Sequence, residues 1–249
     1  GMSLKDMRAM STEDLLKINY NNSPVIDGKV LPKNLAEILK EGKQNDINRI
    51  SGMVEGDTLL FTTLPSEFFN PPKTLTKLDY EKMLKDKFGK YADECLSVYP
   101  ANGNEAIAQY NAINQDGMMA LEYYLGKLRN LKNKSNTYIY DYTYKMPGEN
   151  SNIFGAFHTS DVPYFLNKFS SYRANAWTSK DYEFGKTLST YLVNFAKTGN
   201  PNGGNLPVWE KVGNKLEFIN LGDTIKKVSF SKEKEEFWTK YYNDVFGIN

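Results

Sequence analysis

Hydrophobic positions along the chain change their spacing several times, and each change marks a predicted element. Between Thr76 and Tyr99 the apolar residues Tyr80, Leu84, Phe88 and Tyr91 fall about one helical turn apart, with Cys95 and Leu96 continuing the face, which predicts a helix. A second long helical stretch carries Ile107, Ile113, Met118, Leu121, Leu125 and Leu128, and its Gly117 is expected to kink or divide it. Thr178 with Asp181 three residues on has capping-box spacing, and Phe184, Leu188, Tyr191, Leu192 and Phe195 line one face of the helix that follows, which Gly199 and Pro201 end. Phe237, Trp238, Tyr241 and Val245 give a last amphipathic helix. Near the start, Ser11 and Asp14 open a short helix through Leu15, Leu16 and Ile18, and Pro32 opens another whose Leu35, Ile38 and Leu39 precede Gly42.

Other segments follow the period of a strand. Ile47 to Val54 is an apolar run that delivers Glu55, Gly56 and Asp57 at its C-terminal end, the end where parallel sheets place their chemistry. Asn136 to Tyr144 is aromatic and β-branched with near-strict alternation. Leu216 to Leu221 and Ile225 to Phe230 flank Gly222-Asp223 as a hairpin, and Pro24 to Gly28 reads as a turn. Strand, helices, strand, helix and hairpin make an α/β pattern, and with no repeat or low-complexity linker residues 1–249 read as a single domain.

Composition narrows the function. The chain is 40% hydrophobic and 14% aromatic, a globular balance. Thirty-one Lys and Arg nearly cancel 30 Asp and Glu, which argues against nucleic acid as a partner. No apolar run is long enough for a membrane span, and the N-terminus lacks the layout of a secretory signal. Gly1 before Met2 reads as a tag scar, so the native start is expected at or after Met2, and the sequence assigns no localisation. A single cysteine, Cys95, excludes an internal disulfide and reads as a packed small hydrophobe. With one histidine as well, no metal site and no cofactor are expected.

Three motifs carry a resemblance. Gly155-Ala156-Phe157-His158-Thr159-Ser160-Asp161-Val162-Pro163-Tyr164 resembles the segment around the catalytic histidine of the type-B carboxylesterase/cholinesterase family. Phe195-Ala196-Lys197-Thr198-Gly199-Asn200-Pro201-Asn202 followed by Trp209, and Pro24-Val25-Ile26-Asp27-Gly28, resemble two further motifs of that family, in the family's order. The resemblance implies the C-terminal portion of an α/β-hydrolase fold and the chemistry of a serine ester hydrolase. Anchoring the family's acid motif on Gly52 and Phe61 puts Asp57 in the place of the triad acid, where the family has Glu, and Thr58 in the place of the following Gly. Glu55 is the fallback. Asp161 is expected to support the histidine loop by capping backbone amides.

The triad explains why an acid and a histidine belong together. A serine hydroxyl becomes nucleophilic when an imidazole takes its proton, and a carboxylate on the far ring nitrogen fixes the tautomer. Asp57 then His158 fits the second and third places of the α/β-hydrolase order Ser, acid, His. No Gly-x-Ser-x-Gly elbow and no Gly-rich oxyanion loop occur among the 249 residues, so the chain is expected to begin after both.

The resemblance therefore implies a small-molecule ester as substrate of the complete enzyme, with this chain alone inactive. The alternative is a truncated remnant of the fold that acts at most as a binding domain. In either case Ile47 to Val54 is an interior strand by descent. Its edge is expected to be covered by the serine-bearing half, by a homodimer, or by the N-terminal segment Met2 to Asn22.

Overall fold

A computed structural model of the chain describes residues 2–18, 24–57, 75–102, 105–149, 151–169 and 176–247. Thr58 and Phe61, on which the acid-motif alignment leans, lie outside them, as do residues 19–22 of the N-terminal segment. The chain forms two compact units, Gly1–Ile38 and Leu39–Asn249.

In the first unit, α1 (Leu4–Ala9) opens on a reciprocal capping box between Ser3 and Asp6. Next, α2 (Thr12–Leu16) opens on Ser11, whose hydroxyl accepts the Asp14 amide at 3.1 Å. In the predicted turn the Asp27 carboxylate gathers the amides of Lys29, Val30 and Leu31, and Gly28 takes a positive φ of 74°. The helix α3 (Leu35–Glu41) leads into the second unit and stops at Gly42, φ 67°.

The second unit is built on a four-stranded sheet in the order β1 (Arg49–Val54), β2 (Thr137–Tyr142), β3 (Glu217–Leu221), β4 (Ile225–Ser229). The first two strands pair in parallel, Arg49 opposite Thr137 through Val54 opposite Tyr142. The third joins β2 in parallel, and the hairpin closes antiparallel from Glu217 opposite Ser229 to Leu221 opposite Ile225. Helices cover both faces, as a parallel sheet requires.

On one face lie α4 (Lys77–Phe88), α5 (Ala92–Val98), α6 (Ala106–Lys132) and, in the C-terminal segment, a helix over Lys232–Phe246. Their Tyr80, Leu84, Phe88, Cys95, Ile113, Met119, Phe237 and Trp238 are buried with Met53 and Ile139 of the sheet. The stretch predicted as one helix from Thr76 to Tyr99 is interrupted. A 3₁₀ turn at Gly89–Tyr91 begins on Gly89, whose φ of 53° a residue without Cβ adopts freely. Conversely, α6 runs undivided through Gly117, because that glycine is bare to admit Trp238: a Cβ there would lie 2.8 Å from the indole. Cys95 is fully buried, and burial pushes its thiol up to about 12, in keeping with a packing role.

The opposite face carries α7 (Ser151–Phe154), α8 (Val162–Phe165) and α9 (Ser179–Thr198), which bury Tyr164, Leu188 and Tyr191 against Val54, Tyr138, Tyr142 and Trp209. The final helix, Lys232–Phe246, is α10. Alternation along β2 thus sends Tyr138, Tyr140 and Tyr142 to this face and Ile139 to the other. At the start of α9 the reciprocal capping box between Thr178 and Asp181 forms as the spacing predicts. Asp181 does more than cap, since it also accepts the hydroxyls of Tyr144 at 3.1 Å and Tyr164 at 2.8 Å. Burial alone would raise its pKa; the bonds from Thr178, Tyr164 and Tyr144 outweigh it and hold the carboxyl low.

Candidate active site

The C-terminal end of β1 is where the two predicted catalytic side chains meet. After Val54 the chain turns, with the Asp57 amide donating to the Val54 carbonyl at 3.0 Å. The chain leaving β2 returns through α7 and lays Phe157 beside Gly56 in a parallel bridge, where the Gly56 amide donates to Ala156 at 2.7 Å. One residue further along each segment stand Asp57 and His158. Asp57 Oδ1 lies 2.8 Å from His158 Nδ1, and Asp57 Oδ2 accepts the amide of Val54 at 3.2 Å. A carboxylate only accepts, so this contact places the ring proton on Nδ1 and leaves Nε2 free to accept a proton. The imidazole is 59% exposed and the carboxylate 19%.

His158 sits in a tight turn closed by the Ser160 amide on the Phe157 carbonyl at 2.8 Å. The third residue of that turn, Thr159, has φ 68°, a left-handed conformation that is rare for a β-branched residue. Such outliers collect at functional sites, held by the structure around them. Here the hold comes from below. Tyr142 donates its hydroxyl to the Ser160 carbonyl at 3.3 Å, and Tyr140 donates to Asp161 Oδ2 at 2.9 Å.

Asp161, expected to support the histidine loop by capping backbone amides, bonds no amide of α8, and the Tyr140 hydroxyl is its side-chain donor. The carboxylate is buried and turned toward the sheet, where the Tyr140 hydroxyl is the donor within reach. Burial raises its pKa, and the Tyr140 bond works against that rise. The same burial, with the Asp161 charge beside it, raises the Tyr140 phenol. This Tyr140–Asp161 pair was not found from sequence, although the alternation of tyrosines along β2 already put hydroxyls on the face that meets the histidine loop.

Glu55 is placed elsewhere. Its amide bonds the Tyr142 carbonyl at 2.9 Å, its side chain is exposed, and its charge acts on Asp141 of β2. Asp141 is a second group that sequence reasoning missed. Burial, then the charge of Glu55, push its carboxyl up to about 7, while Gln115 at 2.9 Å and Asn220 at 3.4 Å donate to it. Among the described residues no cluster of His, Cys, Asp and Glu is arranged to hold a metal ion, and no helix is long and apolar enough to cross a membrane.

Known proteins resemble this chain in sequence and in fold. Mus musculus "Carboxylesterase 1F" is 28% identical over 238 residues, covering 87% of this chain and 40% of that protein. Oryctolagus cuniculus "Liver carboxylesterase 1" is 26% identical over 238 residues, covering 88% and 41%. A solved structure titled "PNB ESTERASE" superposes with a TM-score of 0.69 at 19% identity, across 94% of this chain and 50% of that one. The sheet and its flanking helices are accordingly the C-terminal portion of an α/β-hydrolase fold, and the chain spans half or less of the length of the proteins it matches. The model of the carboxylesterase family matches residues 3–238, and the chain belongs to that family.

Proposed function

We propose that this chain supplies the histidine and the acid of a serine carboxylic-ester hydrolase whose nucleophile lies on a polypeptide outside these 249 residues. The supporting observation is the 2.8 Å contact between Asp57 and His158 at the ends of the first strand and of the segment bridged to it. In this reading Asp57 holds the imidazole with its proton on Nδ1. His158 Nε2, the ring nitrogen not held by Asp57, takes the serine proton as the hydroxyl attacks the ester carbonyl, and Asp57 stabilises the imidazolium that results. The imidazolium then returns the proton to the departing alkoxide, and the acyl-serine is hydrolysed by water through the same base. Asp in place of Glu has a shorter arm, and the return of the chain at Asp57 onto Val54 brings the carboxylate within reach.

A small-molecule ester is the proposed substrate class, through the family. The chain alone contains no Gly-x-Ser-x-Gly elbow. Purified by itself it should hydrolyse p-nitrophenyl acetate no faster than a free imidazole, and a fluorophosphonate probe should label none of its serines. Supplied with a serine-bearing half of a carboxylesterase-family chain, it should gain hydrolysis that His158→Ala abolishes. Saturable turnover by the chain alone that His158→Ala removes would overturn this reading.

A further inference from the structure

On the face of the sheet opposite α7, α8 and α9, the helices α4, α6 and α10 leave a cleft of 120 Å³ between them. Among the described residues none of β1 lines it. Its walls are largely hydrocarbon: Phe88, Trp238 and Tyr242 from α4 and α10, Met118 and Leu121 from α6. Two of the rings turn their polar atoms elsewhere. The Trp238 indole N–H donates to the Tyr99 hydroxyl at 2.7 Å, and the Tyr242 hydroxyl donates to the Gly117 carbonyl at 2.8 Å. Trp238 and Tyr242 lie 21° from parallel, with Phe88 edge-on to Trp238 at 66°. Ring faces, ring edges and a thioether are good neighbours for one more aromatic ring. An engineered apolar cavity of roughly 150 Å³ takes benzene, so the space is of the right order for such a ring.

One charge stands at this cleft. The Lys87 ammonium donates to Asn114 Oδ1 at 2.9 Å and lies 5.6 Å from the centre of the Phe88 ring. Among the described residues it meets no carboxylate. Its counterparts on α10 and in the turn after α4 do: Lys90 pairs with Asp244, Lys234 with Asp116 and Lys240 with Glu94. An ammonium carries three donors, so two of those on Lys87 remain for a ligand. Although the residue is exposed, the packing around its ammonium pulls the pKa below that of a free lysine, because burial disfavours the charge. A carboxylate set beside it would offset that cost.

We infer that this cleft binds a small aromatic monocarboxylate, its ring against Trp238 and Met118 and its carboxylate on Lys87. The ring supplies apolar contact and the ion pair supplies selection: a neutral ligand of the same shape leaves Lys87 without a carboxylate, and a carboxylate without a ring leaves the walls uncovered. The inference rests on the cleft alone and stands whether or not Asp57 and His158 are catalytic.

Benzoate is the probe. Added at constant ionic strength to the nitrogen-15-labelled chain, it should move the Gly117 amide and Trp238 indole resonances along one saturating curve, with a Kd on the order of 1 mM for a ligand of so few atoms. Benzamide keeps the ring and loses the charge; acetate keeps the charge and loses the ring. Each should bind more weakly than benzoate by roughly tenfold or more. Lys87→Gln, at an exposed position, should keep the natural circular dichroism spectrum, weaken benzoate to the level of benzamide and leave benzamide where it was. If that variant fails to fold, benzoate against benzamide on the natural chain decides. No saturable shift at about ten times the expected Kd, equal affinity for benzoate and benzamide, shifts confined to other lysines, or benzoate binding that folded Lys87→Gln leaves unchanged would each overturn the inference.

Discussion

Thr159→Gly tests whether the turn that presents His158 is strained. Thr159 holds φ 68° beside the imidazole, its carbonyl accepts the Val162 amide at 3.2 Å, its side chain is exposed, and its hydroxyl makes no hydrogen bond among the described residues. The substitution therefore removes a Cβ from an unfavourable conformation and loses no contact. A left-handed conformation costs an L residue roughly 1–2 kcal/mol. Glycine relieves that cost and gives back roughly 0.5–1 kcal/mol through the greater freedom of its unfolded chain. The balance favours Thr159→Gly by up to about 1.5 kcal/mol, a rise in Tm of roughly 3–6 °C at most for a chain of this size. Thr159→Ala keeps a Cβ in the same place and should move Tm much less. Thermal unfolding followed by circular dichroism at one pH compares the three proteins. A fall in Tm for Thr159→Gly, or an equal rise for Thr159→Ala, would show that the turn is not strained and that another contact holds it.

Asp141→Asn should show a pH-dependent gain. The native carboxyl titrates at about 7, above its ordinary value, so the stability tied to its protonated form is present at acid pH and is lost as pH rises through about 7. In urea unfolding the variant should gain on the natural chain by on the order of 1–3 kcal/mol at pH 8 relative to pH 4; a pH-independent difference would refute the raised pKa. Gly52→Ala would put a Cβ 2.3 Å from the Tyr140 carbonyl oxygen, and urea unfolding should report a loss of roughly 1–3 kcal/mol. A neutral result there would mean that β1 and β2 separate more easily than their close approach implies.

Much of the fold was legible because its elements are strongly periodic. Phe184, Leu188 and Tyr191 repeat at helical spacing, and the capping box of Thr178 with Asp181 marks the first turn of α9 within a residue. Tyr138, Tyr140 and Tyr142 alternate, and one face of β2 is indeed theirs. Local signals failed where tertiary packing decided the outcome. Gly117 reads as a break, yet it is the site where Trp238 approaches α6, while the true interruption at Gly89 sits inside an unbroken apolar stripe. At the site, the short spacing of Glu55 and Asp57 left two carboxylates open. The return of the chain onto Val54 turns Asp57 toward the histidine loop and leaves Glu55 exposed near Asp141. Asp161 stands three residues after His158, where a short acidic side chain suggests a cap on the loop's backbone amides. Its partner is instead a tyrosine 21 residues earlier, a contact that only the crossing of the loop over β2 creates.

His158 is the one histidine in the chain, which gives the proposed dyad a direct test. Nitrogen-15 NMR of the imidazole in the isolated, neutral-ring form should show the proton on Nδ1, held by Asp57. Asp57→Asn should abolish that preference, and Glu55→Gln should leave it as it was. A ring protonated on Nε2 in the natural chain, or a tautomer that follows Glu55 rather than Asp57, would contradict the assignment of Asp57 and His158 as acid and base.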